Sequence, residues 1–209
     1  MIITSKPGRD GKIHISADGV YRLTLDADVW YAFGIPEGSQ ADEQQLAELE
    51  SAASFRSAKN SALNMLSRRA YGKQELVKKL REKKHDAQTA SEVADKLEQL
   101  GLIDDEDYAA LLARELYERK GMSCEKIKYE LMGRGISREI SENTAETLDN
   151  NPVERIIIML STKYSRSMDD EKGRKRVFAA LRRLGYRYSD IRSAFAQCGS
   201  ELDGDEEQE

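Results

Sequence analysis

The sequence predicts a mainly α-helical protein: three tandem three-helix repeats forming an elongated, curved array, preceded by a small N-terminal β-hairpin plus helix. Three observations predict it. Beyond residue 54, apolar residues recur at spacings of three and four, with Gly and Pro mainly at breaks, which is the pattern of amphipathic helices. The segments ELVKKL (75–80), KIKYEL (126–131) and RVFAAL (176–181) stand about 50 residues apart, a period that marks stacked helical units. The first 35 residues differ: short β-branched and aromatic runs flank Asp18-Gly19, a pair suited to the positive φ of a tight hairpin turn.

Along the chain, residues 1–37 make the hairpin and a short helix through Val29, Trp30 and Phe33, capped by Asp28 and closed near Gly34. A lone hairpin is marginally stable in water, so it is expected to pack on that helix or on a partner. Residues 38–54 are polar and acidic with Leu46 and Leu49 at helical spacing, and read as a linker or a short helix. Repeat one, 55–104, opens with a helix over 55–70 and ends with one over 89–100 that carries a capping box from Thr89 to Glu92. Repeat two, 105–150, has helices over 106–119 and 137–148, the latter capped by Ser137. Repeat three, 151–198, starts with Asn151 as cap and Pro152 at the first helical position, and closes with a helix over 189–197 capped by Ser189.

Aligning the repeats puts Leu76, Ile127 and Val177 in one equivalent position and Leu80, Leu131 and Leu181 in another. Four residues separate the two positions, so they share one helix face. Behind them come Lys84-His85, Gly135-Ile136 and Gly185-Tyr186, so two repeats close this helix on a glycine able to take the left-handed cap. Units this small have thin cores and few contacts at a distance, and such arrays tend to present one concave face to a long partner. Residues 199–209 form an acidic tail without periodicity, expected to be disordered.

At 209 residues with 34% charged side chains, the chain suits several modest cores rather than one large one. Its longest aliphatic stretch, Ile156 to Leu160, is far shorter than the roughly 20 residues a membrane helix needs. Residues 1–9 lack the apolar core of a signal peptide, so a cytoplasmic monomer without membrane contact is expected. Cys124 and Cys198 have no Cys or His nearby, and are expected to be two reduced thiols rather than a disulfide scaffold or a zinc site.

The net charge of −5 hides a strong segregation. Between Arg56 and Lys84 ten Lys/Arg face two Glu, and between Lys172 and Arg192 eight face one Asp. Two basic blocks are thus set in an acidic frame, and local fields decide what approaches each. On the helix of the first block Leu76, Val77 and Leu80 turn inward, leaving Lys73, Lys78, Lys79, Arg81, Lys83 and Lys84 outside, with Arg68 and Arg69 just ahead. Lys172, Arg174, Lys175, Arg182 and Arg183 do likewise in the third repeat. Solvated charge runs usually mix signs, and these do not, so they are candidates for binding phosphates or an acidic protein surface.

Nothing comparable supports catalysis. No catalytic residue, cofactor site or metal site is expected. His14 lies in the hairpin, and His85 aligns with Ile136 and Tyr186, which makes it a partly buried core position. Glycines are scattered as caps and turns, unlike a phosphate loop. Asp104-Asp105-Glu106-Asp107 could hold a divalent cation, but a cap at Asp105 with acids in the first helical turn accounts for it more simply.

Taken together, LSRRAYGKQELVKKLREK (66–83), LIDDEDYA (102–109), GRGIS (133–137) and LRRLGYRYSDIRSAF (181–195) resemble the successive repeat motifs of the RecX family, over about residues 55–197. Two positions depart from that pattern: Gly72 stands where the family often has a capping Ser, and Lys84-His85 replaces the usual Lys-Gly. The resemblance implies a non-catalytic modulator of the RecA recombinase in DNA repair, homologous recombination and the SOS response. Such a protein lies along the groove of the RecA-DNA filament and limits strand exchange, ATP turnover and stimulated repressor cleavage. It implies RecA and its filament as partners, with single- or double-stranded DNA as a possible direct ligand. The rival readings are a helical module that binds nucleic acid without RecA and an enzyme using the Asp104 to Asp107 cluster.

Overall fold

Alternation in KIHISA places Ile13, Ile15 and Ala17 on one side of a strand, and all three are buried. In the computed structural model, which describes residues 1–148 and 151–199, this strand is the centre of a three-stranded antiparallel sheet. Strand β2 (Lys12–Ala17) lies between β1 (Ile3–Pro7) and β3 (Val20–Asp26), with Ile3 opposite Ala17 and Ile13 opposite Leu25. Asp18 and Gly19 turn the hairpin with φ of 48° and 76°. The sequence reading did not anticipate β1, because only Ile3 of its five residues is buried and no alternation announces it. Backbone bonds hold its outer edge: Ile3 N donates to the Ser39 carbonyl at 3.0 Å and Gly38 N to the Ile3 carbonyl at 2.9 Å.

Helix α1 (Ala27–Phe33) follows at once and brings Trp30 into the sheet core. Asp26 occupies its N-cap position, while Asp28 pairs with Arg56 at 2.5 Å, so Asp28 is not the cap expected. The acidic segment read as linker or short helix is the start of α2 (Glu43–Leu66). A capping box opens it: Asp42 Oδ1 accepts from Gln45 N at 2.8 Å, and the Gln45 side chain accepts from Asp42 N at 3.1 Å. This one helix serves two cores. Leu49 joins the sheet, whereas Ala58, Ala62 and Met65 pack with Leu76 and Leu80 of α3 (Lys73–Glu82) and with Val93 and Leu97 of α4 (Ala87–Gln99). Asp86 caps α4 by accepting from Thr89 N at 2.8 Å, which corrects the box placed at Thr89.

Met1–Asp104 form one compact unit and the chain from Asp105 onward forms a second. In the second, α5 (Asp105–Glu115) runs into a π-helical turn, Leu116–Lys120, that closes on Gly121 at φ 71°. Asp105 is therefore the first helical residue and not a cap. Ser123 and Ser137 cap α6 (Cys124–Gly133) and α7 (Arg138–Glu146) by accepting from Lys126 N and Ile140 N, each at 3.2 Å. Tyr108, Leu112, Leu116, Ile127, Leu131 and Ile136 fill this core. The third repeat packs α8 (Pro152–Ser161), α9 (Glu171–Arg183) and α10 (Tyr188–Gln197) around Ile156, Leu160, Leu181 and Phe195.

Asn151 caps α8 as expected, accepting from Glu154 N at 3.2 Å. Helix α10 starts at Tyr188 behind Arg187, whose side chain makes no cap bond, so Ser189 lies inside the first turn. All six aligned core positions, from Leu76 to Leu181, are buried. From residue 200 on, the acidic tail lies outside the described residues.

Candidate interaction surface

Each candidate face is built by the same device. On α3, Leu76 and Leu80 point into the core and leave Lys78 and Arg81 on the opposite side. Lys83 is the C-cap, and Lys84 follows in the left-handed conformation at φ 70°. Arg68 is exposed on the connection ahead of α3. Arg68, Lys78, Arg81, Lys83 and Lys84 make no ion pair among the described residues. The other candidates in this block are engaged inside the fold. Lys73 bridges Asp95 and Glu98 of α4, each at 2.7 Å, and hydrogen bonding to Asp95 and then Glu98 holds its pKa above the usual lysine value. Lys79 pairs with Glu82 at 2.7 Å, which raises its pKa in the same way. Arg69 pairs with Glu75 at 2.8 Å and lies 3.7 Å from the centre of the Tyr71 ring.

The third repeat divides similarly. Val177 and Leu181 anchor α9, and exposed Lys172 and Arg183 carry side chains without ion pairs among the described residues. Lys175 pairs with Glu171 at 2.8 Å. Arg182 donates to the Tyr186 carbonyl at 3.2 Å, and half-buried Arg174 to the Met168 carbonyl at 3.2 Å. So Arg174 and Arg182 also brace the ends of their own helix. Arg187 and Arg192 add further exposed cations that the face drawn on α9 alone did not include, because they belong to α10.

Sequence reasoning missed the joint between the second and third repeats. Arg155 of α8 lies 3.4 Å from the centre of the Tyr117 ring and donates to the Tyr117 carbonyl. Around the α9–α10 turn, Ser123 N donates to the Leu184 carbonyl at 2.9 Å, Ser123 Oγ to the Gly185 carbonyl at 2.8 Å, and Lys126 Nζ to the Arg183 carbonyl at 2.9 Å. Beside the joint is a cavity of 490 Å³ lined by both signs of charge, among them Lys128, Arg187, Glu142 and Asp190.

The remaining candidates are structural. His85 is half-buried with Nε2 3.1 Å from Ser61 Oγ, and His14 Nδ1 is 2.7 Å from Thr24 Oγ1. Asp105, Glu106 and Asp107 form the first turn of α5. Among the described residues no three His, Cys, Asp or Glu side chains are placed to share a metal ion, and no helix is long and apolar enough to cross a membrane.

Comparisons with known proteins converge. Residues 58–102 match the family model described as the first three-helix domain of RecX, and residues 104–144 match the second. A regulatory protein RecX from Caldanaerobacter subterraneus subsp. tengcongensis is 30% identical over 154 residues, covering 71% of this chain and 76% of that one. A crystal structure of a regulatory protein RecX superposes with a TM-score of 0.65 at 23% identity, over 93% of this chain and 97% of that one. The crystal structure of RecX from Lactobacillus salivarius superposes with a TM-score of 0.58 at 26% identity, covering 73% and 98%.

Proposed function

This chain belongs to the RecX family, and from that premise we propose that it regulates RecA by docking on the RecA-DNA filament through the basic faces of α3 and α9. The coarse role, a non-enzymatic regulator acting on RecA, follows from family membership. The finer reading adds the surface and its consequence: bound to the filament, the protein limits RecA ATPase and coprotease activity.

One observation carries this reading. In both the first and the third repeat the second helix carries exposed cations that make no ion pair among the described residues: Lys78, Arg81, Lys83 and Lys84 in one, Lys172 and Arg183 in the other. Cations that outnumber the acids beside them, Glu82 on α3 and Glu171 on α9, leave a net positive field, so such faces favour a polyanionic partner. Two faces on one chain also raise the effective concentration of the second contact once the first is made.

Co-sedimentation with RecA filaments assembled on single-stranded DNA tests the proposal, with ATP hydrolysis read in parallel. Binding accompanied by a fall in hydrolysis is the expected result. Tight binding to bare oligonucleotide that RecA neither helps nor hinders would instead select the rival, a nucleic-acid module acting without RecA.

A further inference from the structure

Cations of the third repeat have few acids beside them: between residues 151 and 199, eleven Lys and Arg stand against five Asp and Glu. Helix periodicity puts Lys172, Arg176, Ala179 and Arg183 in one stripe along α9, and all four are exposed. On α10 the exposed stripe is Ser189, Arg192, Ser193 and Ala196. Neither stripe carries an acid, and Lys172, Arg176, Arg183 and Arg192 make no ion pair among the described residues. Like charges four residues apart on a helix, as Lys172 and Arg176 are, repel each other, so this face lowers its energy by taking up anionic groups.

Directly behind α10 the sequence supplies such groups. Residues 200–209, SELDGDEEQE, hold six acids and no cation, which balances the excess of six cations in the repeat ahead of them. These acids follow the C-terminal end of α10, where the helix dipole is negative and repels them, while the positive stripes attract them. Reach is sufficient. Ten extended residues span up to roughly 33 Å, whereas the ten residues of α10 rise only about 15 Å. A tether of this length holds the acids beside the face at a local concentration on the order of millimolar. Helix α3 belongs to the other compact unit, so the tether favours the third repeat over the first.

We propose that residues 201–209 are an internal competitor, which lies across the basic face of α9 and α10 and holds the third repeat back from polyanionic partners. Contact with the face stands on the charges and the tether alone. Competition with the filament rests on the filament-docking reading above and adds its regulation. Exposed ion pairs of this kind are individually weak and screened by salt, so the cover is loose. A partner that brings denser negative charge displaces it, and a sparsely charged surface does not, which sharpens the choice of partner.

Two full-length proteins test this: the parent, and a variant with Glu201, Glu206, Glu207 and Glu209 changed to Gln and Asp203 and Asp205 to Asn. Their backbone amide NMR spectra at low salt should differ in α9, no residue of which neighbours the substitutions in sequence. The difference should fade as salt rises toward about 1 M, where the screening length is about 3 Å. Adding Lys172→Glu and Arg183→Glu to both proteins should erase it. The neutralised variant should keep the parental melting temperature and bind RecA filaments on single-stranded DNA about three- to tenfold more tightly at low salt, as removal of a competitor that covers the face most of the time requires. Identical α9 spectra would overturn the proposal, as would shifts confined to α3, which would seat the acids on the first repeat. Altered α9 spectra with unchanged or weaker filament affinity would overturn the competitor role. If neither protein binds the filament, the filament-docking reading fails, while the α9 spectra and the affinity of the two proteins for heparin, a soluble polyanion, still decide whether the acids cover the face and compete for it.

Discussion

The Tyr186 hydroxyl donates to the Gly121 carbonyl oxygen at 3.2 Å, a buried hydrogen bond between residues 65 apart in sequence that ties the third repeat to the end of the π-helical turn of the second. Burial pushes the phenol up to about 12, so the donor proton is retained far above neutral pH. In the unfolded chain the same phenol titrates near pH 10. The folded state therefore holds its proton more tightly, and this group's contribution is complete below about pH 10 and lost as pH rises toward about 12. We expect Tyr186→Phe to lower stability by about 1 kcal/mol at pH 7, the ordinary net value of a lost hydrogen bond. Between pH 10 and 12 the parent should lose stability more steeply than the variant. Urea melts at graded alkaline pH read this directly, and parallel curves would dismiss the hydrogen bond as the cause.

The core positions make a simpler prediction. Leu80 and Leu131 are fully buried in separate clusters, the first with Val93 and Leu97, the second with Leu112 and Ile127. Truncating either to Ala should destabilise its own cluster by roughly 2 to 5 kcal/mol. Native-state hydrogen exchange should show Leu80→Ala loosening α3 and α4, and Leu131→Ala loosening α6 and α7. A uniform effect on both clusters from either variant would contradict separate cores.

Capping gives a third. Asp86, and not Thr89, accepts the bond that opens α4, and hydrogen bonding from Thr89 holds the Asp86 carboxyl below its ordinary pKa. A depressed carboxylate stabilises the fold above its unfolded pKa and stops doing so as pH falls through the folded value. Asp86→Ala should lower the melting temperature at pH 7 and leave it nearly unchanged at acid pH, where the parent's carboxyl is itself protonated. Equal destabilisation at both pH values would point to lost packing rather than a lost cap.

These outcomes also mark what the sequence could and could not disclose. The repeat register was legible because Leu76, Ile127 and Val177 recur at a fixed interval and face the same way, a pattern local to each helix. The hairpin turn was legible from Asp18-Gly19 alone. Strand β1 was not, since its pairing supplies the order that its own side chains do not encode. The unity of α2 was hidden because its inward residues serve two cores and never form one stripe. At the surface, charge marked out the basic blocks, but only the fold separates Lys73, bound to Asp95 and Glu98, from Lys78, which meets solvent. Acids that neutralise a cation come from other helices, so sequence distance conceals them.

The same distinction decides the last prediction, which concerns the two basic faces. Cations already paired inside the fold should matter to stability, and cations left unpaired should matter to binding. Reversing Lys78 and Lys83 to Glu on α3, or Lys172 and Arg183 to Glu on α9, alters exposed side chains without ion pairs among the described residues, so melting should move by less than about 0.5 kcal/mol per site. Filament affinity should fall in each variant, because favourable contacts are replaced by repulsion. Combining the two faces should cost more than either, as expected when one chain grips through two contacts. Reversing Lys73 is the control: it breaks its links to Asp95 and Glu98, so its first effect should be on melting. Parental affinity should decline with added salt, and the face variants should decline less steeply, since fewer counterions are released on binding. If both face variants bind and inhibit RecA as the parent does across that salt range, the faces are solvated and the docking surface lies elsewhere on the chain.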